Sequence, residues 1–119
     1  MAWIGVDLDG TLAEYGGWRG KDHIGAPIAP MVARIKNWLA QGTEVRVFTA
    51  RVAAPHDDVF VKESVALIQA WCLEHIGVAL PVTCEKDFGM IELWDDRAVR
   101  VVFNTGEACC HHHKELRNG

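Results

Sequence analysis

Three short segments of the chain end in residues able to do chemistry. "VDLDGT" carries Asp7 and Asp9 two positions apart, followed by Gly10 and Thr11. "VFTAR" carries Thr49, Ala50 and Arg51, and "IELWDDR" runs an apolar stretch straight into Asp95 and Asp96. Lys86 stands ahead of the last segment in "EKDFG". Neighbouring carboxylates repel, by about 4 kcal/mol at about 4 Å when the effective dielectric is near 20. Asp95 and Asp96 therefore either face water on a turn or have a positive partner. Brought to one place, the four acids form an oxygen-only set suited to a hard divalent cation, with Mg²⁺ the usual occupant beside phosphate. Thr49 would add a hydroxyl and Lys86 an ammonium for phosphoryl oxygens.

The elements that must position these groups are readable from the apolar pattern. "AWIGVD" is a buried strand stopping at acids and a glycine. "PIAPMVARIKNWLAQG" puts Met31, Val32, Ile35, Trp38 and Leu39 on one helical stripe, with Gly42 as its stop. "EVRVFT" is a second strand. In "PHDDVFVKESVALIQAWCLEHIG", Val61, Val65, Ile68, Cys72 and Ile76 fall at helical spacing, with Asp57 or Asp58 to cap the start and Gly77 the end. "LPVTCE", "MIELW" and "VRVVF" are read as the third, fourth and fifth strands. Strands alternating with amphipathic helices predict an α/β fold with a mainly parallel five-stranded sheet. In such folds ligands bind outside the carboxyl ends of the strands, which is where every group above is found. Asp7 and Asp9, two apart at a strand end, can point the same way, and Gly10 allows a tight turn after them.

Bulk properties set limits. The chain of 119 residues suffices for one domain with a core. A net charge of −4 gives no reason to expect a nucleic-acid coat protein or a membrane-surface binder. No apolar run reaches the ~18 residues of a membrane span, so a cytoplasmic protein is expected. The cysteines Cys72, Cys84, Cys109 and Cys110 show no disulfide framework and are expected to be thiols. "CCHHH" (109–113) holds metal-binding residue types in an unbroken run, which cannot all face one ion, and adventitious metal binding is the simpler reading.

"DLDGT" after a strand, "VFT" ending a second, a lysine and then "ELWDD" together resemble the four-motif series of the haloacid dehalogenase (HAD) phosphatase superfamily. The resemblance covers residues 6–96 and is closest to very small bacterial and phage members, in which "DDR" and a "TAR"-like second motif recur. It implies a three-layer Rossmann-like fold and a Mg²⁺-dependent phosphomonoester hydrolase. Asp7 would be the nucleophile that becomes an aspartyl phosphate, and Asp9 the general acid and base. The metal would be held by the Asp7 side chain, the Asp9 main-chain carbonyl and the Asp95/Asp96 pair, with the direct ligand of that pair left open. Gly10, Thr11, Thr49, Ala50, Arg51 and Lys86 would bind the substrate. Lys86 departs from the family pattern in lacking a following proline.

The resemblance also implies an open site. Residues 13–26, rich in glycine, are too short for the cap domain with which most such phosphatases read substrates, and 84–86 leave no room for one. A single domain over 1–106 is expected, with a flap at 13–26 and a tail at 107–119. Tyr15 and Trp18 on the flap can stack on a ring or simply anchor the flap. The substrate is expected to be a small phosphorylated molecule such as a nucleotide or sugar phosphate. A polynucleotide end is not excluded, and oligomerisation is open. Two other classes share these residue types. A phospho-receiver domain would carry its acid pair after the first strand, the reverse of the order here. A non-catalytic phosphate- or partner-binding module on the same scaffold would carry all the same groups.

Overall fold

The computed structural model describes residues 2–53 and 55–109. Four strands form one sheet: β1 (Trp3–Asp7), β2 (Glu44–Phe48), β3 (Val82–Thr83) and β4 (Met90–Trp94). Two helices accompany them, α1 (Ala29–Ala40) and α2 (Asp58–His75), and a short 3₁₀ turn spans Ala50–Val52. The spatial order is β3-β2-β1-β4, and every pairing is parallel. The protein is thus α/β with a parallel sheet, as its alternating pattern predicts.

Local chemistry explains where the elements begin and end. Pro30 sits in the first turn of α1, where a missing N–H is harmless. Asp57 caps α2 by accepting a bond of 2.7 Å from the Phe60 N–H. Along α1, Met31, Val32 and Ile35 are buried, and along α2, Ile68, Trp71 and Cys72. All of them join one cluster with Ile4, Val6, Val45 and Val47 of the sheet. Ile4 pairs with Val45 and Val6 with Val47, so these four side chains share one face. Both helices therefore cover the same face. Connections of one hand between strands added in one direction give this outcome.

That arrangement corrects two expectations. The third layer is not formed by a helix among the described residues. Instead the 84–89 connection crosses the opposite face, from the end of β3 to the start of β4. It is pinned there by Asp87, which accepts a 2.7 Å bond from Trp3 Nε1 and lies 3.5 Å from Arg46 Nη1. The Trp3 bond, with help from the Gly89 N–H and Arg46, holds the Asp87 carboxyl below the usual range. Arg46 in turn lies 4.3 Å over the Trp3 ring, which is how a tryptophan on the helix-free face is fully buried.

The expected fifth strand, "VRVVF", is not part of the sheet, which has four strands among the described residues. A parallel neighbour needs a crossover of about a dozen residues or more, and only 95–98 separate β4 from "VRVVF". The segment turns back on itself instead. Val101 makes an isolated antiparallel bridge to Ala108, the Val102 N–H donates to Glu107 at 2.8 Å, and the Cys109 N–H donates to Arg100 at 2.7 Å. Phe103 is left 85% exposed. The start of the expected tail, 107–109, thus folds onto 100–102. The remainder, with Cys110 and His111 to His113, lies outside the described residues. Among the described residues, no helix is long and apolar enough to cross a membrane, and Cys72, Cys84 and Cys109 are free.

The flap leaves the domain through a tight neck. Ala13 bridges to Asp9 and to Pro27, and the Glu14 N–H donates to Ala26 at 2.9 Å. Gly25 is required at this closure: a Cβ there would lie 2.0 Å from the Glu14 carbonyl oxygen.

Candidate active site

The carboxyl ends of β1, β2 and β4 lie side by side because β1 is central between the other two. Asp7 is the last residue of β1, Thr49 follows β2, and Asp95 follows β4. A cleft of about 810 Å³ opens there. Asp7, Asp9, Asp95 and Asp96 line it, with Thr49, Ala50, Arg51 and Arg97, and so do the rings of Tyr15, Trp18, Phe48, His56 and Phe60.

Three of the acids converge. Asp7, Asp95 and Asp96 each offer a carboxylate oxygen, and these oxygens lie within 4.8 Å of one another. The Thr11 hydroxyl stands 3.5 Å from Asp7 Oδ2 and 3.4 Å from Asp96 Oδ1. It has one proton, so it serves one acid at a time. The Arg97 N–H donates to Asp95 Oδ1 at 2.7 Å, fixing the turn after β4. Gly10, at φ +89°, lets the chain pass so close to this turn that an added Cβ would sit 2.9 Å from Asp96 Oδ2.

Crowding of like charge has an electrostatic consequence. Asp7 is pushed up from 3.8 to about 7, first by burial, then by its hydrogen bond with Asp96 and the charges of Asp95 and Asp96. The adjacent acids that stand out in the sequence thus share a site with a third carboxyl that holds a proton near neutrality. A proton or a cation is what lets the three coexist.

Asp9 has a different partner. Arg51 Nε and Nη2 donate to its two oxygens, each at 2.8 Å, the bidentate geometry that makes such pairs strong. Arg51 is only 7% exposed. Its remaining donors reach the flap, Nη2 to the His23 carbonyl at 3.0 Å and Nη1 to the Lys21 carbonyl at 3.4 Å. The Trp18 ring lies over it, 5.0 Å from Cζ. A buried charge is tolerable only when so fully paired. Arg51 therefore ties one acid of the cleft to the flap. Lys21 adds a second tie, 3.2 Å from Glu63 on α2 and 5.5 Å over the Phe60 ring.

Of the other residues singled out in the sequence, Thr49 is buried. Its Oγ1 accepts the Arg51 N–H at 3.2 Å, and its own N–H donates to Thr83 at 2.9 Å. Ala50 lines the cleft. Lys86 does not: it lies exposed on the 84–89 connection. The side-chain cations among the lining residues are Arg51 and Arg97, the latter directly after Asp96. The "DDR" run was the signal for it. His56 stacks on Phe60 with ring centres 4.2 Å apart and lines the cleft. Phe48, Phe60 and Cys84 also line the cleft, and no local motif marks them. Trp94 packs edge-on against Trp38 at 5.3 Å, and both are partly buried against the core. Comparison of the chain with protein families, curated proteins and solved structures found no match.

Proposed function

We propose that the protein is a metal-dependent phosphomonoester hydrolase of the haloacid dehalogenase type. The convergence of Asp7, Asp95 and Asp96 at the carboxyl end of a parallel sheet carries this reading. Their all-oxygen donor set, with an Asp7 carboxyl that resists ionisation until near pH 7, fits a hard divalent cation such as Mg²⁺. Asp7, Asp95 and Asp96 would hold it, with the Asp9 main-chain carbonyl as a further oxygen. When bound, such a cation supplies positive charge opposite the phosphoryl oxygens.

The rest of the reaction falls to the chain's own residues. Asp7 attacks phosphorus, forming an acyl–phosphate bond as the ester oxygen departs. Asp9 gives that oxygen a proton, then takes one from the water that cleaves the aspartyl phosphate, so phosphate leaves and Asp7 is restored. In the resting protein both Asp9 oxygens are committed to Arg51. Asp9 can donate only after this pair opens and the freed carboxylate takes a proton from solvent, and an arriving phosphoryl dianion is the group that competes for the guanidinium. Thr49, Thr11, the 10–11 main chain and Arg97 complete the anion's surroundings. Free thiols at Cys72, Cys84 and Cys109 suit a cytoplasmic setting. The substrate is a small phosphorylated molecule, and the open rim leaves room for a partner subunit.

One observation favours a second reading, a phosphate-binding module without turnover: the Arg51–Asp9 pair occupies the acid the reaction needs. Phosphate release, measured with Mg²⁺, with chelator and in Asp7→Asn, separates them. The hydrolase reading expects metal-dependent turnover that falls at least about a thousandfold in Asp7→Asn. Tight binding of a phosphate analogue with no release from any substrate would establish the module.

A further inference from the structure

The cleft is lined by two kinds of side chain, and only the polar ones are used by the reaction above. We propose that its aromatic residues form a base-binding subsite and that the substrate is a free nucleoside monophosphate; the assignment rests on the hydrolase reading for what happens to the phosphate, but not for what the subsite binds.

The aromatic lining comes from separate parts of the chain. Tyr15 and Trp18 come from the flap, Phe48 from the end of β2, and His56 and Phe60 from the approach to α2 and its first turn. The flap pair is 49% and 54% exposed. Trp18 rests on the Arg51 guanidinium, yet over half of its surface still meets the cleft and solvent. A flap anchor would be expected to bury its ring; this one leaves it available. Base–aromatic stacking is favourable for any base, because every base has a π-face.

Arg51 links the exposed ring to the acidic part of the cleft. Its Cζ lies 5.0 Å from the Trp18 ring centre, and its Nε and Nη2 each lie 2.8 Å from an Asp9 oxygen. A nucleoside monophosphate carries both an anion for the arginine and the acids and a base for the exposed rings. The cleft, at about 810 Å³, lies within the range that holds ligands of this size, about 300–1,000 Å³. A sugar phosphate fits as well, but nothing in it uses the aromatic residues.

The test compares thymidine or adenosine 5′-monophosphate with ribose 5-phosphate, which lacks the base, on the full chain with Mg²⁺. The nucleotide should be favoured in kcat/KM by at least about tenfold, the scale of one stacked base. Trp18→Ala should reduce that ratio at least about fivefold, while Trp18→Phe keeps most of it. In parallel, calorimetry on Asp7→Asn measures binding of the same ligands without turnover, and the nucleotide should again bind at least about tenfold more tightly. Turnover with equal efficiency for both compounds overturns the inference and leaves the hydrolase standing. No turnover of either, with the nucleotide still bound preferentially and lost in Trp18→Ala, overturns the hydrolase and leaves the subsite. Equal binding of both compounds, or a ratio untouched by Trp18→Ala, refutes the subsite outright.

Discussion

If the three acids hold a divalent ion as proposed, that cation and a proton compete for the Asp7 carboxyl, and the competition has a definite size. Asp7 holds its proton to about pH 7 because burial, Asp96 and Asp95 all disfavour its charge. A divalent ion on Asp7, Asp95 and Asp96 needs that proton gone. Above pH 7 the proton is already absent and affinity should be level. Below it, affinity should fall tenfold per pH unit. At pH 5.5 about 3% of the sites have Asp7 ionised, so Mg²⁺ should bind about thirtyfold more weakly, a loss of about 2 kcal/mol.

Isothermal calorimetry in buffers of differing ionisation enthalpy reads both the affinity and the protons released. Release should approach one per Mg²⁺ at pH 5.5, about half at pH 7 and near zero at pH 8.5. Asp96→Asn, which removes a charge and alters the hydrogen bond on Asp7, should shift the midpoint downward and weaken the ion. Stability follows from the same shift, with the sign opposite to that of a salt-bridged aspartate. Without metal the folded state binds more protons than the unfolded state between about pH 4 and 7, so stability falls as pH rises through that window. The full shift is worth about 4 kcal/mol, and water at a half-buried carboxyl screens it to roughly 2. Mg²⁺ should restore the loss at pH 8. Affinity that stays flat from pH 5.5 to 8 with no proton release would refute the shared-carboxyl reasoning.

Arg51→Met keeps the bulk but removes the partner of Asp9 and two carbonyl contacts on the flap; it should cost about 2–4 kcal/mol and speed proteolysis within 13–26. An unchanged melting temperature and digestion pattern would show that the tie carries nothing. Because Arg97 lines the cleft and Lys86 does not, Arg97→Ala should lower kcat/KM at least about tenfold, against less than about threefold for Lys86→Ala, a tenfold loss being about 1.4 kcal/mol. The reverse ranking would mean that the lysine supplies the phosphoryl charge after all.

What could be read from the sequence was whatever is decided within a few residues. β1, α1, β2 and α2 each announce themselves by an apolar period and a local cap or stop, Asp57 on the Phe60 N–H being one such device. The acids were legible because each ends a strand, and strand ends in a parallel sheet meet. One failure came from path length, and one expected ligand stands away from the cleft. "VRVVF" has strand composition, but 95–98 cannot carry the chain back to the foot of the sheet. Lys86 has the charge expected of a phosphate ligand, but it lies on the 84–89 segment, which is occupied in crossing the helix-free face through Asp87, Trp3 and Arg46. The pairing of Arg51 with Asp9 was hidden for a third reason. It depends on the flap returning the Lys21 and His23 carbonyls to a guanidinium 30 and 28 positions later in the chain, and no local pattern encodes that closure.

These two facts bear on each other. The same short 95–98 turn that denies the sheet a fifth strand leaves Arg97 at the cleft, one position beyond the acid pair and with its N–H bonded to Asp95. Among the described residues no helix covers the face that the 84–89 connection crosses, and the aromatic residues of the cleft come from the flap, the end of β2 and the approach to α2. One buried arginine thus holds Asp9, the flap and the Trp18 ring together. On the proposed reading, an anion that replaces Asp9 on the Nε and Nη2 edge frees the carboxylate to take up the proton it must later give, while the bonds from Nη1 to Lys21 and from Nη2 to His23 can stay in place. Entry of the anion and opening of the flap are therefore separable steps.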